Sequence, residues 1–430
     1  MAMVVKNNMS AISTLNTLNK NSSALSKSLQ KVSSGMKINS AADDASGYAI
    51  SERMRVQIRG LDQSNQNTQN GTSMMKVAEG AVSSTVDILK TLKEKVINAA
   101  NDTNTDADRA TIQKELDQSI DQINDNANVT YNGKYLVDGS KSAATQGTCT
   151  ALTNESLHSS ANFTTTFSTL SDRNGNSLNI NSLDTVTMSW VKEGVTCTAS
   201  VQASAQMNAL ISQASAAFGT SSVSSYIGKD LAGDTVATAD RGAALTLVAA
   251  GSGVSSQVSG VTFSVTNTQG QVQKSANAVL DNFSESIRAQ NKSADNQISL
   301  QVGTKANQSI KVGLTDMRAE ALGLQSSSGQ TIQIGTQGQA NAAINVLDNA
   351  VQKALDQQTT IGAVQSRLSY TSSNLTTASE NVQSSESTIR DADMAKEMTE
   401  YTKNNVLLQA AQSMLAQANQ SSSSVLSLLQ

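Results

Sequence analysis

The chain has no proline in 430 residues, where average usage predicts about twenty. Proline breaks helix interiors, and its cis/trans isomerisation slows refolding. Its absence therefore suits long uninterrupted helices, rapid folding, or both. Histidine is nearly as scarce: His158 is the only one, which excludes a two-histidine zinc motif, and no phosphate loop or nucleophile elbow surrounds it. In its Ser-rich stretch His158 reads as a surface residue. Two cysteines, Cys149 and Cys197, are too few for a disulfide framework or a cysteine zinc centre. Each reads as a small buried hydrophobe, with a mutual disulfide as the alternative. With 31 Lys+Arg against 35 Asp+Glu, the chain lacks the basic footprint of a nucleic-acid or anionic-membrane binder. No apolar run approaches the roughly 18 residues of a membrane span. The N-terminus lacks the basic and apolar regions of a secretory signal, so classical signal-directed export is not expected. Neither catalysis, nor a cofactor, nor a metal is expected.

What is present is periodicity. Val4, Ala11, Leu18, Leu25 and Val32 repeat every seven residues, with Leu15, Leu29 and Met36 at the partner position and Asn8 and Ser22 as its polar exceptions. The pattern restarts after Asp43 and Asp44, acids suited to a helix N-terminus. This second helix reaches to about Asn101, with Met75, Val82, Leu89 and Val96 in heptad register. Gly60, Gly71 and Gly80 weaken the expectation of one straight rod. A third helix is predicted over Asp106 to Asn126, from the stripe Ile112, Leu116, Ile120 and Ile123. Asn132-Gly133 between alternating apolar residues predicts a hairpin.

The C-terminal end mirrors this arrangement. Ile361, Leu368, Leu375, Val382 and Ile389 are spaced by seven, with Val364 and Ala378 between them. Ser421 to Ser424 interrupts the pattern before an apolar tail, Val425-Leu-Ser-Leu-Leu-Gln430. Burying Val425, Leu426, Leu428 and Leu429 supplies roughly 6 to 12 kcal/mol. Ordering six residues costs about the same. A lone monomer is therefore expected to leave the tail disordered until neighbouring molecules cover it together with the N-terminal stripe.

Between about Ser140 and Ala294 the heptads give way to Ser/Thr/Gly-rich text. Val186, Met188 and Trp190 alternate, as do Val195, Cys197, Ala199 and Val201 after Lys192-Glu-Gly, which predicts a β-hairpin. Further strands are predicted at Leu245-Thr-Leu-Val and Val261-Thr-Phe-Ser-Val, with a short helix around Ala203 to Ala217. All five Phe and the single Trp fall in this segment, so a separate small core is expected there.

Four segments carry a family resemblance. Ser33-Ser-Gly-Met-Lys-Ile-Asn-Ser-Ala-Ala-Asp-Asp-Ala-Ser-Gly-Tyr-Ala-Ile-Ser-Glu-Arg and Gly71-Thr-Ser-Met-Met-Lys-Val-Ala-Glu-Gly-Ala resemble bacterial flagellin. So do Gly362-Ala-Val-Gln-Ser-Arg and Met414-Leu-Ala-Gln-Ala-Asn-Gln with its closing Val425-Leu-Ser-Leu-Leu. The resemblance implies a mainly α fold: an antiparallel hairpin of long helices forming coiled coils from both termini, with a β-hairpin and an inserted β-rich, mixed α/β outer domain. Residues 1–42 with 392–430 resemble the inner filament-core domain, 43–140 with 295–391 the outer-core helical domain, and 141–294 the variable surface domain. The implied filament-core packing residues are Val4, Leu15, Leu18, Leu25, Leu29, Val32, Met36, Val406, Met414, Leu415, Val425, Leu426, Leu428 and Leu429. Those of the outer core are the two heptad rows Met75, Val82, Leu89, Val96 and Ile361, Leu368, Leu375, Val382, Ile389.

The resemblance also implies partners: copies of itself, the flagellar export apparatus, a flagellin chaperone, a filament cap and hook-associated junction proteins. It implies unfolded export, folding at the filament tip and an extracellular location. In many flagellins an Arg followed by acidic and apolar residues binds an innate-immune Toll-like receptor. Here that stretch carries Lys90, Thr91, Lys93, Glu94 and Lys95, with Thr91 in place of the Arg and Lys95 in place of a Leu. Losing a bidentate donor and charging an apolar contact predict weak recognition. A hook–filament junction protein shares the terminal design, and a secreted coiled-coil adhesin is the alternative of a different class.

Overall fold

The computed structural model describes residues 8–214 and 244–428, with the backbone alone over 422–428. Its elements begin with α1 (Met9–Ser34), α2 (Ala45–Ala99) and α3 (Asp106–Ala127), then β1 (Thr130–Tyr131) and β2 (Lys134–Tyr135). The middle of the chain holds β3 (Ala151–Asn154), β4 (Thr185–Lys192), β5 (Val195–Gln202), α4 (Met207–Gln213), β6 (Leu245–Val248), β7 (Val258–Thr266), α5 (Lys274–Leu280) and β8 (Phe283–Ile287). Then come β9 (Ile298–Gln301), β10 (Ser309–Val312), the short α6 (Ala319–Leu322), α7 (Gln337–Arg390) and α8 (Met394–Leu428). The architecture is mainly helical, with long terminal helices packed together and a β-rich middle, as the sequence predicts. Two compact units form, residues 1–68 with 301–308 and 370–430, and residues 69–300 with 309–369.

In the first unit α1 and α8 pair antiparallel. Asn8 caps α1 by accepting the Ala11 N–H at 3.0 Å, and Gly35 ends it in the left-handed conformation, φ 72°. Asp44 starts α2 by accepting the N–H groups of Ser46 and Gly47. Ser421 to Ser424 do not break α8: the helical backbone continues to Leu428. Serine is only mildly unfavourable in a helix and keeps its N–H for the ladder, so a polar run interrupts the apolar pattern without ending the element.

The second unit contains the C-terminal part of α2, where buried positions form two interleaved heptad rows: Met75, Val82, Leu89, Val96, and Ala78, Thr85, Leu92, Ala99. Gly71 does not disturb the helix. It makes room, since a Cβ there would sit 2.7 Å from Leu300 Cδ1. Thr105 and Asp108 form a reciprocal capping box on α3, whose Leu116, Ile120 and Ile123 are buried while Ile112 is half-buried. Asn132 and Gly133, φ 50° and 73°, form the turn between β1 and β2.

The β-rich middle of this unit has its own core. Strands β5, β4 and β7 form one antiparallel sheet in that order, and β6, β3 and β8 another. Phe163, Phe167, Trp190, Phe263, Val186 and Met188 are buried together there with Leu210 and Leu245. Trp190 pairs with Cys197 across the β4–β5 hairpin. Both cysteines are free thiols packed against this core, and burial pushes the Cys149 thiol up. The predicted Ala203–Ala217 helix is realised over Met207–Gln213, and its residues 215–217 lie outside the described residues. His158 is half-buried, its Nδ1 2.8 Å from Ser160 Oγ.

Candidate functional site

The α1–α8 pair presents two kinds of surface. Its inner seam uses Ala11, Leu18, Leu25 and Val32 of α1, all half-buried, against half-buried Tyr401, Leu408 and Leu415 and buried Ala411 of α8. The positions between the apolar ones are polar or small. Ser28 is buried and accepts a hydrogen bond from Asn404 Nδ2 at 3.0 Å. Asn21 Nδ2 donates to Leu407 O at 3.3 Å, and Asn8 Nδ2 to Ala418 O at 3.2 Å.

The heptad reading put Leu15, Leu29 and Met36 at this partner position, and the structure corrects it. Thr14, Asn21 and Ser28 point toward the seam, whereas Leu15 and Leu29 are 45% and 51% exposed and Met36 is half-buried beyond the helix end. The reason is where α8 lies: residues three and four on from the row 11, 18, 25 flank it on opposite sides of one helix face, and α8 covers the side of 14, 21 and 28 while leaving Leu15 and Leu29 open. Leu15 and Leu29 join Met9 and Ile12 on an exposed apolar face of α1. On α8, Val406 and Met414 are 59% and 63% exposed, with Met394, Met398 and Leu407 also exposed. Val4 and Leu429 lie outside the described residues, and the side chains of Val425, Leu426 and Leu428 lie outside them too.

At the base of this pair the chain passes between helices through Arg390. Its backbone oxygen accepts the Lys37 N–H at 2.7 Å, and Gly35 O accepts the Ala392 N–H at 2.9 Å. The guanidinium is buried. It lies 2.7 Å from Glu52 Oε1, 3.1 Å from Met36 Sδ and 5.6 Å from the Tyr48 ring centroid. Hydrogen bonding from Arg390 holds the Glu52 carboxyl below its usual range.

Of the second predicted group, Met75, Val82, Leu89, Val96, Ile361, Leu368 and Leu375 are buried, while Val382 and Ile389 are half-buried. Sequence reasoning missed the hydroxyl-bearing positions on the same stripe. Ser64, Thr68 and Thr85 are buried, and each hydroxyl donates to the carbonyl four residues back, at 2.7, 2.8 and 3.0 Å. Their heptad spacing from Leu61 and Leu92 was the available signal. At the end of α2, Lys90 pairs with Asp87 and Lys95 with Glu115 at 3.0 Å, while Lys93 pairs with Asp348. Thr91 Oγ1 donates to Asp87 O, and Glu94 is exposed.

Paired terminal helices with exposed apolar outer faces define a class of protein built to associate with other chains through those faces. Residues 5–142 match the bacterial flagellin N-terminal helical region and residues 344–429 the bacterial flagellin C-terminal helical region. A flagellin of Clostridium tyrobutyricum is 33% identical over 424 residues, covering 97% of this chain and 99% of that protein. A flagellin of Bacillus subtilis (strain 168) is 29% identical, covering 99% of this chain and 100% of that protein. Among solved structures, flagellar hook associated protein-3 from Legionella pneumophila is 14% identical with a TM-score of 0.34, covering 78% of this chain and 97% of that one. The chain belongs to the bacterial flagellin family. It is a structural subunit of the extracellular flagellar filament and not an enzyme. No helix among the described residues is long and apolar enough to cross a membrane.

Proposed function

We propose that the outward apolar faces of α1 and α8 are the surfaces by which copies of this chain assemble in the filament core. The observation that supports this is the exposure of Leu15, Leu29, Val406 and Met414 on helices whose inner seam is already occupied. Leu18, Leu25, Val32 and Leu415 form the intrachain half of the same packing, Met36 closes it beside Arg390, and Val4, Val425, Leu426, Leu428 and Leu429 are assigned to the same filament-core surface. The heptad rows of α2 and α7 serve the outer core, residues 43–140 with 295–391, outside the inner domain of 1–42 with 392–430. Residues 141–294 form the surface domain.

On this reading the chain is exported unfolded by the flagellar apparatus, its C-terminal segment held beforehand by a chaperone, and it folds at the tip beneath a cap. The ordering entropy of the ends is borne only when neighbours cover them. Negative-stain microscopy of concentrated protein should show long homopolymers, and limited proteolysis should remove both ends of the monomer before the middle. Ends as protease-resistant as the middle would refute order on assembly. Recognition by the Toll-like receptor for flagellin is weak on the same reading, because Thr91 and Lys95 replace its Arg and Leu contacts and Lys95 is engaged with Glu115.

A further inference from the structure

We propose that the Arg390 cluster is the clamp that sets the register between α1 and α8. The seam itself specifies register poorly. Its apolar rows repeat by seven on both helices, so sliding one helix by a heptad, about 10 Å, presents nearly the same apolar partners. Two of its polar contacts, from Asn8 and Asn21, go to backbone carbonyls, and a helix offers such an oxygen at every residue. Contacts that discriminate are concentrated at the base. Ser28 meets Asn404 and Lys31 meets Glu397 at 3.5 Å; a slip of seven replaces these partners by Ala411 or Glu397 and by Asn404 or Arg390.

Next to them the backbones pair at Met36 and Asp391, with the two hydrogen bonds Lys37 N–H to Arg390 O and Ala392 N–H to Gly35 O. A two-residue bridge at the ends of helices is weak by itself. Arg390 reinforces it: one buried guanidinium touches Met36, the residue that closes the α1 side, and Ser51, Glu52 and Tyr48 in the first turns of α2. The end of α7, the start of α8, the end of α1 and the start of α2 are thereby held at one point, and the pair closes outward from it.

The test uses the full-length chain with Cys149→Ser and Cys197→Ser, carrying either Asn8→Cys with Ala418→Cys, which reports the native register, or Asn8→Cys with Ala411→Cys, which reports a one-heptad slip. Oxidative cross-linking is read in filaments grown from parental seeds, where neighbours cover both ends, so a variant too slow to nucleate by itself still reports its register. With Arg390 intact the native pair should cross-link at least tenfold more than the slipped pair. Arg390→Gln should reduce that ratio several-fold, and Arg390→Lys should restore it in part, since it keeps the charge without the planar fork. If Arg390→Gln does not fold, as judged by helical content, Glu52→Gln with Tyr48→Leu is read instead, with the same expected shift. An unchanged ratio in the folded variant overturns the proposal. Filament growth is scored separately and bears on assembly, not on register.

Discussion

The Asp281 carboxylate accepts the backbone N–H of Phe263 on the open edge of β7. It is one of several side chains that occupy this edge. Asn277 accepts the Val265 N–H at 2.8 Å, Asn345 donates to Val261 O at 3.2 Å and Asn349 to Ser259 O at 2.9 Å. An edge strand with free polar groups invites pairing with another chain, and these side chains occupy the groups that would offer it.

Asp281 also sets a pH dependence. Burial raises its pKa from the ordinary 3.8 to about 6, against the Phe263 hydrogen bond, which lowers it. The folded chain therefore binds a proton more tightly than the unfolded chain, and stability falls as pH rises from about 4 to 6. Above that window the penalty is fully present, at about 3 kcal/mol. Asp281→Asn keeps an acceptor for Phe263 and removes the charge. Urea midpoints should show the variant more stable than the parent at pH 7.5 and nearly equal to it at pH 4; an equal difference at both would sink this account.

Leu89 and Leu15 should separate folding from assembly. Leu89 is fully buried, so Leu89→Ala should cost about 2 to 5 kcal/mol of monomer stability. Leu15 is exposed, so Leu15→Ala should change monomer stability by less than about 0.5 kcal/mol yet slow seeded filament growth. Normal growth of the Leu15 variant would argue against the assembly face.

Receptor recognition offers a gain-of-function test. In a reporter-cell assay the purified monomer should activate weakly, and Thr91→Arg with Lys95→Leu should raise its potency at least tenfold. Full potency of the parent, or no gain in the variant, contradicts the reading of these two positions.

Placing a proline at Ser422 probes why the chain has none. The α8 backbone is helical through this position, and an interior proline costs about 3 kcal/mol of helix stability. Ser422→Pro should slow filament growth. Added prolyl isomerase should leave the slowed rate unchanged if helix continuity is the reason, and restore it if isomerisation is.

The sequence by itself determined the helices, the Asn132-Gly133 turn, the β4–β5 hairpin and the separate aromatic core, because each rests on local periodicity or on a residue's own backbone preference. The end motifs likewise determined the family. Tertiary structure decided which apolar rows are covered. Leu15 and Val82 look alike on a heptad count, yet one is 45% exposed and the other is fully buried, because burial depends on where the partner helix lies. It also decided that Ser64, Thr68 and Thr85 are buried, since a hydroxyl bonded to the preceding turn no longer needs water, and that Gly71 is a packing site against Leu300. Arg390 was unreadable for the same reason: its four partners are assembled from segments more than 300 residues apart in the chain, brought together only when both ends of the protein return to one point.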